Sequence, residues 1–166
     1  MKLKKEEILI IQKNRDPFLM VDEITNVQPG ERIVAKKFLD ENLWFFKVHW
    51  PGDPNMPGVL QVECMTQACA MIIQTMEKFN NETIYITAID KAIFKQKVTP
   101  GGELEIRGEI ISSNRGIVKC KAVLTSQIAC IIKIKIYTSS FSSNFTIIFI
   151  YIIIKVFKLF YESRFV

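Results

Sequence analysis

Apolar and polar positions alternate with a period of two along much of this chain. The alternation is clearest in Leu104–Ile110 (LEIRGEI) and Ile117–Leu124 (IVKCKAVL). That pattern predicts strands with one covered and one wet face. It breaks over Gly58–Phe79, GVLQVECMTQACAMIIQTMEKF, which is apolar nearly all round. The break predicts one long helix, buried on most of its faces. Glu63, Gln67 and Gln74 interrupt that helix at intervals of four and seven and fall on one stripe. Asn80 and Asn81 are the expected helix end.

The rest of the body reads as strand. LMVDEITNV and ERIVAKKFL flank the Pro29-Gly30 turn signal. After the helix come IYITAI, AIFKQKV, ELEIRGEII, GIVKCKAVL and QIACIIKIKIY. Pro100-Gly101-Gly102 and the Ser112–Gly116 stretch punctuate them. Two strands, a buried helix and an antiparallel run make an α+β layout, with the sheet wrapped around a central helix.

Composition changes this picture little. The chain of 166 residues is long enough to bury a core as one domain. Its net charge of +5 falls to +1 up to Ile132, with 17 Lys and Arg against 16 Asp and Glu. No basic stripe with interleaved aromatics points to nucleic acid, and no Gly-rich phosphate loop points to a nucleotide cofactor. Four cysteines without C-x-x-C spacing and a single histidine argue against a metal site. Cys64 and Cys69 read as small buried hydrophobes. MKLKKEEILI does not read as a signal peptide, so a reduced, cytoplasmic setting is expected.

Candidate chemistry concentrates between His49 and Glu63, HWPGDPNMPGVLQVE. The one histidine precedes a loop stiffened by three prolines. A helix starts at Gly58, and Glu63 follows in apolar company. A lone imidazole and a lone acid joined by a rigid connector are the groups that acid–base chemistry needs. Gly58 sits where helix-start N–H groups and the helix dipole favour an oxyanion. Gln67, one turn beyond Glu63, is placed to orient that carboxylate. Lys91, Lys95 and Lys97 form the best local cluster of positive charge in the body for docking a partner; a solvated strand face is the rival reading. Arg15 and Asp22 read as structural.

The same stretch, followed by CMTQA, resembles the active-site signature of the β-hydroxyacyl-(acyl carrier protein) dehydratases of FabZ type. Upstream, NRDPFLMVDEI is similar to that family's R-x-P-F-L-x-V-D segment. Downstream, ITAIDKAIFKQKVTPGGELEI is similar to its G-x-D-x-x-x-F-x-x-x-V-x-P-G-D segment. The likeness covers Ile10 to Ile136, three motifs in the right order. Val48 stands where the family has Gly, Trp50 where it has Phe, and Gly102 where it has Asp. LWFFKV is closer to the FabA-type relatives, which carry Asp where this chain has Glu63.

The resemblance implies a hotdog fold and a homodimer, or a trimer of dimers. It implies dehydration of 3-hydroxyacyl-acyl carrier protein to the trans-2-enoyl form in fatty acid biosynthesis, without a cofactor or metal. His49 of one chain would face Glu63 of the other, with His49 as base, Glu63 as acid and Gly58 as carbonyl clamp. Apolar residues of the central helix and of IFKQKV would line an acyl tunnel. Lys91, Lys95 and Lys97 would steer the acidic carrier protein. The alternatives are an acyl-CoA hydratase or thioesterase of the same fold, or a non-catalytic acyl-binding module.

The domain is expected to span residues 1–137. Residues 138–166 are expected to form an atypical hydrophobic tail. Its run IIFIYIIIKVFKLF is shorter than the roughly 20 apolar residues a membrane span needs. Of an interfacial anchor, an extra covering element and adventitious sequence, the last is favoured. Membrane contact through the tail is not.

Overall fold

The computed structural model describes residues 1–79, 82–114, 116–126 and 130–140, the last stretch and Lys91 by backbone alone. The expected tail from residue 141 onward lies outside the described residues, as do Asn80 and Asn81. Among the described residues, six strands form one antiparallel sheet: β1 (Glu23–Gln28), β2 (Arg32–Phe38), β3 (Ile84–Phe94), β4 (Glu103–Asn114), β5 (Ile117–Ser126) and β6 (Cys130–Ser140). Their order across the sheet is β1-β2-β4-β5-β6-β3, so β1 and β3 are its edges. β6 continues three residues past the boundary expected at 137.

Three helices accompany the sheet: α1 (Lys5–Ile11), α2 (Trp44–Val48) and α3 (Gly58–Gln74). α3 is the central helix the sequence predicts, and it packs against β2, β3, β4, β5 and β6. Met65, Ala68, Cys69, Met71 and Ile72 of α3 are fully buried against it. Close approach depends on Gly108 in the middle of β4. A Cβ there would lie 3.0 Å from Cys69 Sγ and 3.1 Å from Ile33 Cγ2, so a side chain would force these buried neighbours to give by a few tenths of an ångström. The alternation read from β4 and β5 is present, with Leu104, Ile106, Val118, Cys120, Ala122 and Leu124 facing the core.

Three expectations are corrected. The helix stops at Gln74, not Phe79, and a short 3₁₀ turn (Glu77–Phe79) follows. Its last carbonyls are claimed by other donors. Gly30 N–H donates to Ile72 O at 2.9 Å, and the Thr75 hydroxyl donates to Met71 O at 2.8 Å. IYITAI and AIFKQKV are not two strands. The single strand β3 absorbs irregularities at Ile86/Ala88 and Ile89/Ala92 against β6, and residues 95–98 leave the sheet. The N-terminal region also holds helices where strand or loop was expected. In α1, the Glu7 carboxylate accepts the Lys4 N–H at 2.8 Å, and Arg15 donates to the carbonyls of Leu9, Gln12 and Asn14 beyond its last turn. α2 buries Phe45 and Phe46 and ends at His49.

Candidate active site

His49 is fixed by the way its chain segment folds. It follows α2 directly, and its N–H donates to Phe45 O at 2.9 Å. Its imidazole is half-buried, with Nδ1 2.9 Å from Asn55 O. A carbonyl only accepts, so Nδ1 carries the proton in neutral His49 and Nε2 presents a lone pair. The connecting loop is held at several points. Met56 N–H donates to Val98 O at 2.8 Å, Gln61 Nε2 donates to Met56 O at 2.9 Å, and Asp53 pairs with Lys97. The imidazole therefore has a defined tautomer on an anchored loop.

Glu63 lies one and a half turns into α3, half-buried. Its Oε1 accepts a hydrogen bond from Gln67 Nε2 at 2.8 Å. The Gln67 amide orientation follows from its other partners. Met20 N–H donates to Oε1 at 2.8 Å, so Nε2 is the atom that reaches Phe18 O at 2.9 Å and Glu63. Gln67 thus ties the Phe18–Met20 segment to the carboxylate. Gln67→Leu is expected to cost about 1–3 kcal/mol of stability, because the buried Met20 N–H loses its acceptor. Denaturant unfolding of the variant checks this, and a loss below about 0.5 kcal/mol would overturn it. Gln74, on the same expected stripe, points elsewhere and donates to Glu82 O at 3.2 Å.

Gly58 opens α3. Pro57 O accepts from the amides of Leu60 and Gln61, while among the described residues no acceptor takes the Gly58 or Val59 N–H. These N–H groups mark the positive end of a 17-residue helix. A Cβ at Gly58 would lie 2.9 Å from the edge of the half-exposed Phe94 ring, so β3 ends against the helix start and a side chain at position 58 would turn that ring aside.

Cys64 and Cys69 supply no nucleophile. Burial pushes the Cys64 thiol far above its ordinary range, with the Asp22 and Glu63 carboxylates adding to the effect and Lys37 opposing it. The hydrogen bond with Cys120, together with burial, likewise pushes Cys69 up. Asp22 pairs with Lys37 at 3.0 Å and accepts the Phe38 N–H at 2.8 Å, a structural role. Of the three lysines proposed for docking, Lys95 is exposed, Lys97 is engaged with Asp53, and the Lys91 side chain lies outside the described part.

Within one chain His49 and Glu63 do not meet: neither an ion pair nor a hydrogen bond joins them among the described residues. Among the described residues, one surface recess is lined by Phe38–Glu41 with Pro100, Gly101 and Gly102, and an adjoining one by Leu39, residues 96–99, Gly101–Glu103 and Ser126; neither residue lines these two. Sequence reasoning missed Asn55, whose carbonyl sets the imidazole tautomer, and Gln61, which pins the loop. Gln61 falls three residues after Gly58, one helical turn in from the helix start. That spacing lets a side chain reach back to the preceding loop, and it was a usable signal.

The family described as FabA-like domain matches residues 13–135. A 3-hydroxyacyl-(acyl-carrier-protein) dehydratase FabZ of Levilactobacillus brevis is 40% identical over 130 residues, covering 77% of this chain and 88% of that protein. An Enterococcus faecalis protein of the same name is 45% identical over 111 residues, covering 67% of this chain and 79% of the relative. Among solved structures, a chain of the dehydratase heterocomplex ApeI:P from Xenorhabdus doucetiae superposes with a TM-score of 0.69. It covers 82% of this chain and 91% of its own at 12% identity, a likeness of fold.

Proposed function

The chain belongs to the FabA-like domain family, and we propose on that premise that it is a 3-hydroxyacyl-(acyl-carrier-protein) dehydratase of fatty acid biosynthesis. It is a hydro-lyase that removes water from a 3-hydroxyacyl thioester to give the trans-2-enoyl thioester. Identity of 38–45% to several curated FabZ dehydratases carries the reading. The Nδ1–H tautomer of His49, which leaves Nε2 free to accept a proton, fits it.

In the mechanism we propose, His49 Nε2 takes the C2 proton and the electrons of that C–H bond form the C2=C3 double bond. The C3–O bond breaks, and Glu63 gives the departing hydroxyl its proton, so one water leaves. Charge developing on the thioester oxygen is met by the Gly58 N–H at the start of α3. Gln67 holds the Glu63 carboxylate through its Nε2.

The working unit we propose is a homodimer with His49 of one chain facing Glu63 of its partner. Two observations support this. Among the described residues no hydrogen bond or ion pair joins His49 to Glu63 in a single chain. In addition, edge strand β3 leaves Tyr85, Ile89, Ile93 and Phe94 exposed, an apolar edge suited to pairing with a second copy. The acyl tunnel would close between the two chains, lined by α3 and the end of β3. The substrate's carrier is acyl carrier protein, Lys95 and the Asp53-paired Lys97 are exposed lysines of the proposed docking cluster, and the setting is cytoplasmic. Residues 1–137 are the proposed catalytic domain.

A trans-2-enoyl-acyl carrier protein mixed with the full chain should lose its conjugated-enoyl absorbance as water adds, with no thiol released. Thiol release would replace this reading with a thioesterase. An unchanged spectrum from folded protein would replace it with an acyl-binding module.

A further inference from the structure

Trp50 combines three features that the acid–base assignment does not use. Its φ is +58°, in the left-handed region that bulky side chains rarely adopt. Its indole stacks on the His49 imidazole, with centroids 4.8 Å apart and an interplanar angle of 23°. It is also exposed, at 58% of its possible surface. Neighbouring side chains of an extended segment point to opposite sides; these two lie face to face. A large apolar ring held in a costly backbone conformation, mostly in solvent, gains nothing from core packing in the single chain.

What the stack does for His49 is geometric and electrostatic. One edge of the imidazole is tied by Nδ1–H to Asn55 O, and rotation about Cβ–Cγ is the motion that would break that bond and release the tautomer. An indole against one face blocks that rotation and aims Nε2 in one direction. When Nε2 takes a proton, the positive imidazolium lies against the negative face of the indole π system.

We infer that Trp50 is a positioning residue for His49, which locks the imidazole plane and stabilises its protonated form during turnover. The inference rests on the proposed role of His49 as base. Phe, the residue of the family motif at this position, would provide a weaker version of the same support.

The chain's single histidine makes the test direct, because the ¹⁵N imidazole spectrum holds one Nδ1/Nε2 pair. Wild type, Trp50→Phe, Trp50→Gly and His49→Ala are compared as full-length protein, by that spectrum at alkaline pH and by steady-state hydration of a trans-2-enoyl thioester. Glycine accepts a left-handed φ without strain, so Trp50→Gly removes the ring and keeps the loop's course. Wild type and Trp50→Phe are expected to show a protonated Nδ1 and a bare Nε2. Trp50→Gly is expected to show tautomer-averaged signals, with kcat about tenfold lower and KM within about twofold. Trp50→Phe should restore kcat to within about threefold of wild type. An unchanged tautomer and kcat in Trp50→Gly would overturn the inference, as would a loss confined to KM, which would make Trp50 a substrate contact. Turnover retained by His49→Ala would instead overturn the base assignment itself.

Discussion

His49→Ala is expected to lower kcat/KM for hydration of a trans-2-enoyl thioester by about 10³-fold, within the range by which a positioned general base accelerates a reaction. No other side chain in the loop or at the start of α3 offers a neutral nitrogen lone pair. Lys97 is engaged with Asp53, and burial keeps the Cys64 thiol, the cysteine next to Glu63, far above its ordinary range. The fold should survive. The variant leaves Asn55 O without its donor, at a cost of about 1 kcal/mol, while Met56, Gln61 and Lys97 still hold the loop. Hydration rates and a thermal melt on the same sample check both halves. Activity within about tenfold of wild type would remove His49 from the reaction.

Mixing His49→Ala with Glu63→Gln should regenerate activity that neither variant has alone. Glu63→Gln keeps the side-chain volume and a hydrogen bond to Gln67 but has no proton to give, so a loss of about 10²-fold or more is expected on its own. If each site takes His49 from one chain and Glu63 from the other, a mixed dimer holds one intact site and one doubly defective site. Random exchange between equal amounts makes about half of the dimers mixed, so about one quarter of wild-type activity should return. The measurement is the hydration rate after exchange, with the mixed dimer confirmed by mass. No recovery despite confirmed exchange would place both residues of a site in one chain. The separation of His49 and Glu63 within the single chain and the exposed apolar edge of β3 both favour recovery.

The legible and illegible parts of the fold differ by the range of the forces that set them. β4 and β5 could be read from alternation because each has one face on the core and one in water. α3 could be read because so many of its faces are covered. α1 and α2 could not. With seven and five residues they are too short to show a helical period, and they owe their existence to contacts made elsewhere. Arg15 caps the first, and burial of Phe45 and Phe46 holds the second. The length of β3 was hidden because its irregularities against β6 let one strand run through a change of pattern near Asp90.

The chemistry divides along the same line. Residue type and spacing alone singled out His49, Glu63 and Gly58 as the candidate set, since a single histidine, a proline-stiffened loop and a carboxylate near a helix start are local facts. They also determined the central helix and the alternating strands. Tertiary structure decided how those groups are held. Asn55 O sets the imidazole tautomer, Met20 N–H sets the Gln67 amide and through it the hydrogen bond to Glu63, and the Phe94 ring comes to lie against Gly58. Each of these is a contact at hydrogen-bond or van der Waals range. Two of the three join residues 36 or more positions apart, and no periodicity in a sequence records which distant backbone atom will arrive at a given side chain.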